Sequence, residues 1–180
     1  QIKPKILFIT DKYFYNGKEI NILQRLPKIL EKIKSIQYVV FINYPGEKYL
    51  LNQYKFKKVK IFRWNEFKKI KTKKIKFSKF DFEKELAILY SSGTTGKPKC
   101  ICHRSGGVLL QHIKEHQLHC NIKEKDNVFY FTTCGWMMWN WLVSVLASKA
   151  SIVLFDGSPI YKKNDLLLKI AEKEKITLFG

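Results

Sequence analysis

Tyr90-Ser91-Ser92-Gly93-Thr94-Thr95-Gly96-Lys97-Pro98-Lys99 is the stretch on which the reading of this chain turns. A β-rich apolar run, Leu86–Tyr90, leads into it, and an alternating run, Lys99–Cys102, leads out, so it joins two expected strands. Gly93 and Gly96 let the backbone turn and come close to another group. Successive backbone N–H groups in such a turn form a nest for an anion. Ser91, Ser92, Thr94 and Thr95 add hydroxyl donors, Lys97 and Lys99 add positive charge, and Pro98 stiffens the exit. Together these groups suit the β- and γ-phosphates of a nucleotide. A Walker A loop is excluded by spacing, since that loop needs four residues between its glycines, Ser or Thr after its lysine, and then a helix. Here Gly93 and Gly96 stand too close, Pro98 follows Lys97, and a strand follows the loop. The plain alternative is a Gly/Thr-rich surface hairpin. The density of hydroxyls, glycines and lysines between Ser91 and Lys99 weighs against it.

Working outward toward the N-terminus, Lys5–Thr10 is a short β-rich run closed by Asp11, the pattern of a buried parallel strand with a loop at its carboxyl end. Ile22, Leu23, Leu26, Ile29, Leu30 and Ile33 give Ile20–Lys34 helical spacing, and Pro27 predicts a kink or a later start. Tyr38–Ile42 is a second apolar run, ended by the turn signal Tyr44-Pro45-Gly46. Strand, helix and strand in this order make a βαβ unit. Glu47–Phe82 is lysine-rich and weakly patterned, with one strand expected at Val59–Trp64. Toward the C-terminus, Ser105 reads as the N-cap of a helix to about His119. Strands are expected at Asn127–Thr132, Ala150–Phe155 and Ile176–Phe179, and a helix at Asn164–Lys173. Gly135–Ser148 is nearly all apolar with three tryptophans, and is expected to be buried. The fold class is therefore α/β, with mostly parallel sheets flanked by helices.

Composition sets further bounds. With 180 residues, 46% hydrophobic and 27% charged, the chain is globular and long enough for a core. The net charge is +19, yet Arg25, Arg63 and Arg104 are the only arginines among 34 basic residues. Nucleic-acid binders favour Arg for bidentate phosphate and base contacts. The lysines are spread along the chain, densest at Lys55–Lys79, and read as a solvated surface with no nucleic-acid partner. No secretory signal is visible, and the longest apolar stretch, Gly135–Ala150, is too short to span a bilayer and carries Asn140 and Lys149. A cytoplasmic protein without membrane partners is expected, with Cys100, Cys102, Cys120 and Cys134 as free thiols. His112 and His116 share a helical face near Cys100, Cys102, His103, His119 and Cys120, but no C-x-x-C pair exists and no metal site is assigned. Gln1 is not an initiator Met and Phe179-Gly180 reads as the end of a strand, so a piece of a longer protein is expected.

The stretch from Tyr90 to Lys99 resembles the phosphate-binding loop of the adenylate-forming superfamily, which includes acyl-CoA synthetases, luciferases and nonribosomal peptide adenylation domains. The flanks are similar to those of the acetoacetyl-CoA synthetases in particular. They include Cys100–Gly107, Leu110-Gln111-His112, Lys114-Glu115-His116, Gly135-Trp136-Met137-Met138-Trp139-Asn140-Trp141 and Leu154–Pro159. The resemblance is strong over Leu86–Gly180 and weak over Glu47–Glu85. It implies that residues 1–180 are part of a large N-terminal AMP-binding domain. It also implies that Ser91, Ser92, Thr94, Thr95 and Lys99, with Gly93, Gly96 and Lys97 completing the loop, hold the phosphates of ATP. Trp136, Met137 and Met138 would line the acyl pocket. An aromatic cluster serves a core more often than a pocket, so Trp139 and Trp141 are read as packing residues. The implied chemistry uses ATP, Mg2+ and CoA to activate acetoacetate or a similar short acid. The family's Tyr-Gly-x-Thr-Glu and Thr-Gly-Asp segments and its lid-domain lysine are not in this sequence, so no residue is singled out as catalytic. The alternatives left open are another short-chain acyl-CoA synthetase and a non-catalytic nucleotide-binding remnant.

Overall fold

The computed structural model describes residues 2–44, 59–70, 74, 76–91, 96, 98–162 and 164–180. They fall into two compact units, residues 1–76 and 77–180.

In the first unit, β1 (Ile6–Thr10), β4 (Tyr38–Ile42) and β5 (Lys60–Arg63) form a parallel sheet in the order β1-β4-β5. Its central strand is buried at Val39, Val40 and Phe41, which is why Tyr38–Ile42 reads as an unbroken apolar run. Helix α1 (Leu26–Lys32) brings Leu26 against Ile9, Val39 and Phe41. The helix starts later than the periodicity from Ile20 suggests. Pro27 occupies its first turn, where a missing N–H costs nothing, and a 3₁₀ turn at Leu23–Arg25 precedes it. The residues before that turn belong to a hairpin not expected from the sequence, β2 (Lys12–Tyr15) with β3 (Lys18–Asn21). Its turn is Asn16-Gly17, both at positive φ, the Asn-Gly signal of a two-residue hairpin. Buried Asp11 knits these parts together. Its Oδ1 accepts the N–H groups of Lys12 and Tyr44, and its carbonyl accepts those of Ile22 and Leu23. A short helix, α2 (Trp64–Phe67), follows β5.

In the second unit, β6 (Glu85–Ser91) and β7 (Lys99–Arg104) form an antiparallel hairpin, as the sequence predicts. A second parallel sheet has the order β10-β8-β9, from β8 (Asn127–Phe129), β9 (Ser151–Ile152) and β10 (Leu178–Phe179). All three strands are shorter than the apolar runs that announced them. Helix α3 (Ser105–Ile113) follows β7 directly, and Lys114–His119 continues it as a π-helix. Its N-cap is Arg104, without a side-chain bond. Ser105, expected to cap, is instead the first helical residue, and its hydroxyl donates to the carbonyl of Asp81. Helix α4 (Met137–Ser144) and a 3₁₀ turn at Val145–Ser148 bury Trp141, Leu142 and Val145 against Ile122, Val128 and Ala150. The expectation that the whole Gly135–Ser148 stretch is buried is corrected here: Trp136, Met137, Val143 and Leu146 are exposed. One apolar helix face suffices to cover a three-stranded sheet. Helix α5 (Leu166–Lys173) leads into β10 with Leu166, Leu167, Ile170 and Ala171 half-buried. Among the described residues the parallel pairings outnumber the antiparallel ones, which agrees with the expected fold class. Among them, no helix is long and apolar enough to cross a membrane.

Candidate functional site

The β6–β7 hairpin sets the frame of the Ser/Thr/Gly/Lys stretch. Its register pairs Tyr90 with Cys100 and Ser91 with Lys99, so the two ends of the stretch lie side by side. Ser91 is half-buried and Lys99 is exposed. Gly96 has φ +150, a conformation that side-chain-bearing residues rarely adopt, and a Cβ there would meet nothing within 4 Å. Ser92, Gly93, Thr94, Thr95 and Lys97 lie outside the described residues. Strand β7 starts at the loop with Lys99 and ends with Arg104, about 17 Å further on at the usual strand rise. The Arg104 guanidinium pairs with Glu83 at 3.1 Å on the exposed surface.

Arg104 and Cys102 also border a cavity of about 390 Å³. One wall is Gln111, His112 and Glu115, on α3 and its π-helical extension, and the other is Met137, Met138 and Trp141 on α4. The sequence-predicted Met137 and Met138 are thus brought together on one cavity. Trp136 is not among its lining residues and is 63% exposed. Trp141, read from the sequence as packing, does both jobs: it is 5% exposed in the core and lines the cavity. Trp139 lines a separate cavity of about 360 Å³ with Tyr130, Thr132, Val153 and Asp156, at the carboxyl ends of β8 and β9. Carboxyl ends of parallel strands are where open α/β sheets place their ligands.

The polar wall of the first cavity is formed by residues that the sequence reading names, with His112 and His116 on one helical face, but to which it gives no pocket role. Gln111, His112, Glu115 and His116 recur at helical spacing, so they share one face of α3 and its extension. That periodicity of polar residues was the available signal. The Trp141 indole N–H donates to Glu115 Oε2 at 2.9 Å, and Gln111 Nε2 donates to the other carboxylate oxygen. Ser144 Oγ donates to the Trp141 carbonyl at 2.8 Å, which leaves Oγ as the acceptor for His112 Nδ1–H, also at 2.8 Å. The neutral His112 ring therefore keeps Nε2 unprotonated. Burial holds the pKa of His112 below the ordinary histidine value, helped by nearby His103 and opposed by Glu115. His116 is fully buried, edge-on to the Trp141 ring with centroids 4.5 Å apart. Burial, and then the neighbouring His112, lower its pKa as well. The Trp141 carbonyl lies near enough to oppose that shift weakly, but neither ring nitrogen reaches hydrogen-bonding geometry. Among the described residues, no three His, Cys, Asp or Glu side chains come together as a metal-binding set.

Comparison with known proteins places these features in context. The family described as AMP-binding enzyme matches residues 1–180. The chain is 40% identical over 183 residues to acetoacetyl-CoA synthetase from Gallus gallus, covering 100% of this chain and 27% of that protein. It is 39% identical over 193 residues to malonamoyl-CoA synthetase vrtB from Penicillium aethiopicum, again covering 100% of this chain and 27% of that protein. The solved structure of acetoacetyl-CoA synthetase from Streptomyces lividans superposes with a TM-score of 0.84 at 35% identity, over 99% of this chain and 26% of that one. The chain thus spans about a quarter of the length of the relatives it matches.

Proposed function

Because the chain belongs to the AMP-binding enzyme family, we propose that it is the part of an AMP-forming acid–thiol ligase that holds the phosphates of ATP and the acyl end of the acid. In this reading residues 1–180 are a portion of the enzyme's large N-terminal domain. The carrying observation is the hairpin that sets Ser91 beside Lys99 at the two ends of the hydroxyl- and lysine-rich loop. The acid is acetoacetate. Two named relatives support this class: acetoacetate and malonamate are both short acids with a carbonyl on the third carbon. A free-thiol protein such as this suits the cytoplasm, since all four cysteines are unpaired.

The reaction has two steps. The acid's carboxylate attacks the α-phosphorus of ATP, forming an acyl-adenylate and releasing pyrophosphate. The CoA thiol then attacks the acyl carbonyl and AMP leaves. The first step needs charge on the moving phosphates to be stabilised, more than it needs proton transfer. Ser91, Ser92, Thr94 and Thr95 supply hydroxyl donors to the β- and γ-phosphate oxygens, Gly93 and Gly96 allow close backbone approach, and Lys97 and Lys99 supply charge. The loop carries no carboxylate. Its glycines, hydroxyls and lysines suit phosphate oxygens, and Mg2+ would enter with ATP. Met137 and Met138 offer an unbranched, polarizable wall that adapts to a small acyl group. Trp136 is exposed and does not line that cavity, so it is left out of the acyl wall.

The test is acetoacetate-dependent exchange of labelled pyrophosphate into ATP, using protein expressed from its complete reading frame. Exchange is expected with acetoacetate, and Lys99→Ala should lower it by about 10²–10³-fold, the usual loss for one preorganised donor. Exchange with malonamate and not acetoacetate would reassign the acid. A Lys99→Ala variant with unchanged exchange would remove the loop from its role.

A further inference from the structure

Helix α4 carries both methionines of the chain at its N-terminal end. No side chain caps that end, and the helix is tied down further along. Trp141 and Ser144 make the ties, to Glu115 and His112. Trp141 follows Met137 by four residues and Met138 by three, so all three share one side of the helix. Any rotation of α4 that moves the indole moves the methionines with it. The partner of the indole is set by an unusual backbone. From Lys114 the helix widens, and the N–H of Cys120 reaches back five residues to the Glu115 carbonyl at 2.8 Å. Such π turns are rare and occur often at functional positions. A buried indole N–H needs an acceptor, and a neutral one would serve. Here the acceptor is a half-buried carboxylate, which makes the stronger, charge-assisted bond, and Gln111 steadies its second oxygen.

We infer that Glu115 is a positioning residue: by holding the Trp141 indole it fixes the pose of α4, and so the place of Met137 and Met138 in the cavity wall. This inference rests on the reading of that cavity as the acyl pocket. Glu115 acts on the fit of the acid and not on the phosphate loop.

In protein expressed from its complete reading frame and labelled with ¹³C at the methionine methyl groups, the resonances of Met137 and Met138 are assigned by the loss of one signal in each Met→Leu variant. Glu115→Ala should shift both in the free protein. It should raise KM for the acid by about tenfold, the worth of one hydrogen bond to a charged group, while KM for ATP stays unchanged. Glu115→Gln keeps an acceptor and should restore both readouts most of the way. Trp141→Phe, which removes the N–H and keeps a ring, should reproduce the rise in KM, and the Glu115→Ala/Trp141→Phe double variant should be no worse than either single one. Independent, multiplying effects, or methionine resonances that coincide with wild type in both single variants, would overturn the proposal. If Glu115→Ala does not fold, the Gln and Phe variants still decide between these outcomes. Wild-type resonances that ignore added acetoacetate, while the variants still shift them, would leave Glu115 as the anchor of α4 and remove the acyl-pocket reading instead.

Discussion

Gly106→Ala and Gly107→Ala form a matched pair one residue apart in the first turn of α3. A Cβ at Gly106 would overlap Cδ2 and Cγ of the Phe82 ring, whereas one at Gly107 would meet nothing within 4 Å. Phe82 cannot simply back away. Its carbonyl accepts the Gly106 N–H at 2.9 Å, and two residues on, the Lys84 carbonyl accepts the Ser105 N–H at 2.7 Å. The ring must swing into solvent or the strap must give up these bonds. Overpacking on this scale costs about 1–3 kcal/mol. Alanine recovers up to about 1 kcal/mol over glycine within a helix. Gly106→Ala should therefore destabilise by up to about 2 kcal/mol, and Gly107→Ala should stabilise by up to about 1 kcal/mol. Urea unfolding followed by tryptophan fluorescence measures this. With residues 1–180 as the sample, a Trp64→Phe background leaves Trp136, Trp139 and Trp141, all in the second unit, as the reporters. With equal slopes, the two midpoints should differ by about 1 M urea. Coincident midpoints, or a higher one for Gly106→Ala, would refute the close packing of Phe82 over α3.

Three further outcomes follow from the same geometry. His112 and His116 both have lowered pKa values in the folded chain, so the folded state binds fewer protons than the unfolded one as pH falls. Their contribution to stability is complete above the unfolded value of about 6.5 and is lost as pH drops through their folded values, so the urea midpoint should fall from pH 8 to pH 5. His116→Phe keeps a ring edge-on to Trp141 and removes two unpartnered nitrogens, so stability should rise by about 1–3 kcal/mol and the urea midpoint should rise with it and depend less on pH. Gly96→Ala forces a side chain into a φ of +150, and should weaken ATP binding, read by isothermal titration, without shifting the urea midpoint of the α4 core.

Much of this architecture was written in local pattern. The run at Tyr38–Ile42 has one dominant reading because a central parallel strand is apolar on both faces, whereas β1 lies at the end of the sheet order among the described residues and leaves Ile6 and Phe8 exposed. The β6–β7 hairpin followed from two β-rich runs flanking the loop. The errors came where a local signal met a tertiary demand. Ile20 and Asn21 fit a helical period, but the Asn16-Gly17 turn commits them to a hairpin strand first. Ser105 has the chemistry of a cap, yet its hydroxyl is used by the strap at Asp81. At the site, the loop's chemistry was read from residue type, but most of that loop lies outside the described residues, and Met137 and Met138 were named only from the family resemblance. The role of Glu115 was not legible, since it depends on a widened helical turn that no propensity announces and on a tryptophan 26 residues away.

The hairpin that frames the loop has a consequence for the order of events during folding. Ser91 and Lys99 are near neighbours in the chain, and a hairpin of this kind closes in about 1–10 μs. The parallel sheet of the same unit must join Val128 to Leu178, about half of that unit apart in sequence, and such distant pairings form far more slowly. For that interval the hairpin carries Leu86, Ile88 and Ile101, which are exposed among the described residues, on strands whose outer edges are open among them too. Open apolar edges pair with one another when chains meet. Renaturation yield should therefore fall as protein concentration rises, with β6 and β7 of one chain capturing those of the next before the parallel sheet has closed.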